Sequence, residues 1–185
     1  LQAEVWVDGG ALHFATRDER AGAEITLVEG THLLDVAIRA DLAHQRTGFT
    51  VSGYDAVRRE AISEAVGADA LRAEVAAGSI GPDVLERAFG ERATQRVREV
   101  PLGSTEAADW ARAQMLRRGR AFATASGVTR GTPEMEVGSR LRLEGVGAPF
   151  EGGDYYVTSV THTYDLESGH RTRFEAERAY VGGRV

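Results

Sequence analysis

The sequence predicts an α+β chain, mainly an antiparallel β-barrel that a helical insertion interrupts, and three observations carry that prediction. Residues 155–164 run through aromatic and β-branched side chains, residues 171–180 alternate charge with small or aromatic groups, and DLESG at 165–169 supplies turn chemistry between them. A second group of strand-like segments lies within residues 4–54. Between the two groups the texture becomes rich in Ala, Arg and Glu, which favours helix.

In chain order, EVWVDGGALHFA at 4–15 reads as a hairpin turning at Asp8, Gly9 and Gly10, with Val5, Val7, Leu12 and Phe14 as its apolar positions. Residues 24–28 and 48–54 read as strands. The spacing of Leu33, Leu34, Ala37, Ile38 and Leu42 fits a helix over 32–43. From 55 to 92, breaks at Gly78, Gly81, Pro82 and Gly90 predict two or three short helices. Residues 96–100 are expected to be extended, because Pro101 steers its predecessor away from helix. Residues 104–119 form the clearest helix: Ser104 or Thr105 caps it, Glu106 and Asp109 complement its positive end, and Arg117 and Arg118 its negative end. Its stripe of Trp110, Ala111, Ala113 and Leu116 is expected to dock on a sheet.

Residues 122–128 open the last group of strands, and the glycines of GVGAPFEGGD at 145–154 predict a tight, bulged connection. If Tyr164 pairs with His170, Val160 faces Phe174 in the core, while Arg171, Arg173, Glu175 and Glu177 project from the other face. Those four are the candidate interface residues. The expected division is a hairpin at 1–23 closing a preceding domain, a discontinuous barrel from 24–62 and 121–181, and a helical insertion at 63–120. No tandem repeat is visible.

At 185 residues and 19.9 kDa the chain can bury a core without disulfides or metal staples. Cysteine is absent, which excludes thiol catalysis and thiolate metal sites. All 22 basic residues are arginine, so Schiff-base and phosphate-loop lysines are excluded as well. A net charge of -6 argues against general nucleic-acid binding. Arg112, Arg117, Arg118, Arg120 and Arg130 nevertheless make one locally basic run. A solvated helix face is the plainer account of it, and docking to an acidic partner surface the sharper one. No apolar run is long enough for membrane insertion and no secretion signal opens the chain, so a soluble protein is expected; starting without Met, it reads as a piece of something longer.

No catalytic, cofactor-binding or metal site emerges. His162 and His170 fall on one sheet face with Asp165 as the only nearby third ligand, an incomplete set that a polar sheet face explains better. The carboxylates show no pair in an apolar setting, and no GxSxG elbow occurs.

With those residues laid out, the chain resembles the late control D family of phage tail proteins, the hubs of contractile tails and injection systems, related to the hub part of VgrG spike proteins. WVDGGALHF at 6–14, FTVSGYDAVRREAI at 49–62, the STEAADWARAQMLRR helix from 104, and above all PEMEVGSRLRLEGVG followed by YYVTSVTHTYDLESGHRTRFEAER carry the resemblance. It implies a hub protomer with two related barrels, the first upstream of Leu1, assembling as a trimer in contact with tail-tube and spike proteins. It further implies a place in a virion tail or phage-tail-like particle, built in the bacterial cytoplasm, and carries over no catalytic residue or cofactor. The alternative is a β-rich module for cell-wall glycan, using Trp6, Tyr155 and Tyr156 as stacking platforms; a hydrolase is the weakest reading.

Overall fold

The computed structural model describes residues 3–97 and 103–182. Strands β1 (Ala3–Asp8) and β2 (Ala11–Thr16) form the expected hairpin, Val5 opposite Phe14 and Val7 opposite Leu12. Gly9 and Gly10 turn it with φ of +55° and +79°, left-handed values that fit the strand twist of a two-residue loop. The elements that follow are β3 (Glu24–Val28), β4 (Leu33–Ala40), β5 (Gly48–Asp55), β6 (Glu60–Gly67), α1 (Asp69–Arg72), β7 (Ser79–Ile80), α2 (Gly81–Phe89) and β8 (Thr94–Val97). Then come α3 (Ser104–Arg120), β9 (Ala123–Thr129), β10 (Arg140–Glu144), β11 (Gly152–Asp165), β12 (Gly169–Arg178) and β13 (Tyr180–Val181).

Six strands make the main sheet in the order β3-β10-β11-β12-β9-β4; β3 and β10 are parallel and the other neighbours antiparallel. Its two edge strands, β3 and β4, are consecutive in the chain. The short link between them returns on itself, Gly30 donating to the Leu33 carbonyl at 3.1 Å, so the sheet must curl to bring its edges together. The result is a curled half-barrel. Its inner face holds Leu27, Leu143, Tyr155, Val157 and Phe174 in one buried cluster, with Met135 reaching in from the β9–β10 connection. Val160 lies opposite Phe174 and Tyr164 opposite His170, the register the sequence predicts.

Segment 32–43 is not a helix. Val36 and Ile38 alternate inward from β4, and a bulge between Leu33 and Asp35 lets Leu33 point inward too. One extra residue turned a two-residue period into apparent helical spacing, and β-branched side chains prefer the strand.

The strand expected at 48–54 exists, yet it lies outside the main sheet: β5 pairs antiparallel with β6 and parallel with β8 in a separate three-stranded sheet. The division that put 24–62 in the barrel therefore fails at β5, because Phe49 and Val51 bury themselves against Ala107, Ala111 and Met115 of α3 instead. Helix was also expected from residue 55, but β6 continues the hairpin. Asp55 makes the turn, its Oδ1 accepting from the Val57 and Arg58 amides at 2.9 Å each. The extended segment at 96–100 begins as β8 and otherwise falls outside the described residues. In α3 the N-cap is Gly103, not Ser104 or Thr105. The small residues Ala107 and Ala111 let that helix sit close to its sheet.

Candidate interface on the outer sheet face

Strand parity sends Arg171, Arg173, Glu175 and Glu177 to the outer face of β12, as expected. They do not form one uniform patch. Arg173 and Glu175 are exposed, with no ion pair among the described residues, whereas Arg171 folds back so that Nη1 donates to the His170 carbonyl at 2.9 Å. Glu177 accepts an ion pair from Arg17 Nη1 at 2.6 Å. One end of the face is thus already covered by the chain's own N-terminal hairpin.

That cover is built on Tyr156, an outward-facing residue opposite Arg140 and Glu177 that is only 2% exposed. The Arg17 and Arg140 guanidinium groups flank its ring at 4.1 and 4.8 Å. Its hydroxyl donates to Glu4 Oε2 at 2.6 Å, and the same carboxylate accepts from Arg17 Nε at 3.3 Å and Arg20 Nη1 at 2.9 Å. Burial alone would raise the Glu4 pKa, but the Tyr156, Arg20 and Arg17 contacts outweigh it and hold the value low. Burial, and then the Glu4 carboxylate, push the Tyr156 hydroxyl up to about 12.

Trp6 stacks on His13 at 5.0 Å and lies under Arg20 at 4.4 Å, and Tyr155 is buried, its hydroxyl donating to the Phe150 carbonyl at 2.9 Å. Trp6, Tyr155 and Tyr156, the stacking platforms of the glycan-binding reading, are therefore engaged within the chain. What the hairpin leaves bare is its other face, where Val5, Val7, Leu12 and Phe14 are 61–72% exposed.

Beside the hairpin, a groove of about 560 Å³ crosses the outer face from β12 to β3, with Arg140, Arg142, Glu24 and Asp154 among its lining. Beneath it lies Arg178, which the sequence reading missed. It is 2% exposed between the rings of Tyr155 and Tyr180, and donates to the carbonyls of Tyr180, Glu151, Gly153 and Pro149. The missed signal was parity: Thr172, Phe174, Ala176 and Arg178 share the buried face, so a charge there must be satisfied internally.

His162 and His170 share a face, their rings 5.5 Å apart. His162 is occupied, Nδ1 with Thr172 Oγ1 at 3.0 Å and Nε2 with the Met135 carbonyl at 2.9 Å. Asp165 caps its own turn through the Glu167 and Ser168 amides. Among the described residues no three metal-type side chains cluster. No helix is long and apolar enough to cross a membrane.

This fold, a curled, mostly antiparallel half-barrel with a second small sheet and its helix, is similar to that of phage tail proteins. The sequence profile of the Alg8 N-terminal domain matches residues 3–165, and the chain belongs to that family. Over 96% of its length the fold is similar to the 43 kDa tail protein of prophage MuSo2 from Shewanella oneidensis, at 13% identity and a TM-score of 0.65. It is similar over the same share to a tail protein from Neisseria meningitidis MC58, at 10% identity and a TM-score of 0.60. Prophage tail protein gp18 from Listeria monocytogenes matches 95% of the chain at 11% identity and a TM-score of 0.52. The chain spans 50, 51 and 48% of those three proteins, about half of each. No curated protein matches it.

Proposed function

We propose that the chain is a structural, non-catalytic part of a contractile phage tail or phage-tail-like injection system: a baseplate hub module that links tail tube to spike. The observation that carries this reading is fold likeness over 96% of the chain to tail proteins from two bacteria, at identities of 13 and 10%. The hub reading adds threefold assembly, each protomer supplying two barrels so that six meet a hexameric tube. Arg173 and Glu175, exposed side by side on β12, supply opposite charges that fix register between neighbours rather than bulk affinity.

Fractionation of a producing culture tests the proposal. Peptides of this chain co-sediment with sheathed tubes, and the Arg173→Glu/Glu175→Arg variant shifts them to the unassembled fraction. Wild-type peptides confined to that unassembled fraction would refute it.

A further inference from the structure

Arg46, Arg96, Arg117 and Arg118 come from segments far apart in sequence, and one loop ties them together. Gln45 Nε2 donates to the Arg118 carbonyl at 2.6 Å, Arg118 Nη1 to the His44 carbonyl at 3.2 Å, and Arg46 Nε to Thr94 Oγ1 at 2.9 Å. Arg96 follows Thr94 by two residues in β8, and so projects from the same side of that strand. The linear basic run seen in sequence is thereby redistributed. Arg120 turns away to Glu74, and Arg46 and Arg96 take its place beside Arg117 and Arg118.

Among the described residues, no carboxylate pairs with any of these four arginines. Arg46 Nη1 donates to the Ala43 and Gln45 carbonyls, and Arg117 Nη2 to Gln114 Oε1. Asp41, on the same loop, uses its Oδ1 on the Ala43 amide at 2.8 Å. Arg118 Nε is buried without a partner. Burial, and then repulsion from Arg46, Arg117 and Arg96, lower the Arg118 pKa. The carbonyl end of α3 offsets the charges of Arg117 and Arg118, but not those of Arg46 and Arg96.

A chain of net charge -6 has thus gathered four like charges in one place without neutralising them. We propose that this patch docks a carboxylate-rich surface of a partner protein. Arginine forks hold carboxylates in two-point geometry, so each incoming acid relieves repulsion as well as forming hydrogen bonds. A nucleic acid fits less well, because the net charge of -6 opposes a polyanion whose phosphates extend beyond the patch.

The probe is a dye-labelled oligoglutamate peptide, followed by fluorescence anisotropy with the whole chain. Wild type binds it, binding weakens with added salt, and Arg96→Glu/Arg117→Glu weakens it roughly ten-fold or more. Both residues are exposed, so the variant still folds, with only a small fall in melting temperature from the lost Arg117 charge at the carbonyl end of α3. Arg39→Glu/Arg58→Glu, the same charge change elsewhere on the surface, retains wild-type binding. Absence of wild-type binding, equal loss in the two double variants, undiminished binding by the patch variant, or tighter binding of a single-stranded oligonucleotide of equal charge would each overturn the proposal.

Discussion

Phe174 is 1% exposed opposite Val160, and a Cβ placed on Gly127 would stand 2.9 Å from two of its ring carbons. Packing that tight leaves little room for relaxation, so Phe174→Ala is expected to cost about 3–5 kcal/mol in denaturant titration. A loss below about 1 kcal/mol would mean that the ring is not a core element. This residue was legible in the sequence because charges alternate around it. Arg178 obeys the same parity and went unread, since a buried guanidinium shows itself only once its carbonyl partners, held by the 149–153 loop and Tyr180, are in place.

The pH response belongs to the same scale. Glu4 has a lowered folded pKa, so its contribution is full above the ordinary glutamate range and is lost as pH falls through the lowered value. Tyr156 works in the opposite sense. Its folded pKa is raised to about 12, so its contribution is full below the ordinary tyrosine value and is lost as pH rises from 10 towards 12. Trp6 fluorescence reports hairpin release on the acid side, and Glu4→Gln removes that transition. On the alkaline side, Tyr156→Phe flattens the fall in melting temperature above pH 10. Identical alkaline profiles for variant and wild type would contradict the cluster.

Among elements, hairpins were the readable ones. Gly9-Gly10 and DLESG encode their turns locally; both hairpins formed, and the one at DLESG has the expected register. Gly10 has φ of +79° with open space around its Cα, so Gly10→Ala introduces backbone strain without a clash; the expected cost is about 1 kcal/mol in thermal unfolding. A neutral result would show that the turn tolerates other conformers. β4 and β6 were misread for different reasons. The bulge in β4 mimicked helical spacing, while the Ala- and Glu-rich β6 owes its extended form to pairing with β5 and packing under α3, which no local propensity records.

At the scale of the whole molecule, the sequence reading expected strands on either side of a helical interruption, but not the separate sheet of β5, β6 and β8. Which strands share a sheet is set by long-range burial, such as Phe49 and Val51 against α3, and strand-like sequence alone does not specify it. The candidate interface was legible as parity on β12; its partial cover was not, because Arg17 and Glu177 lie far apart in sequence and meet only when the hairpin docks. The bare apolar face of that hairpin and the exposed Arg173 and Glu175 both fit a module that works inside an assembly.

On the proposed hub reading, this chain carries one of two barrels of a protomer, and three protomers close through heterologous contacts spread over both barrels. Light scattering on the 185-residue chain and on the protein extended to carry the upstream barrel distinguishes the outcomes. A monomer or weak association at micromolar concentration is expected for the chain, and a stable trimer for the extended protein, each interface burying more than about 1,600 Å². An extended protein that remains monomeric would contradict it.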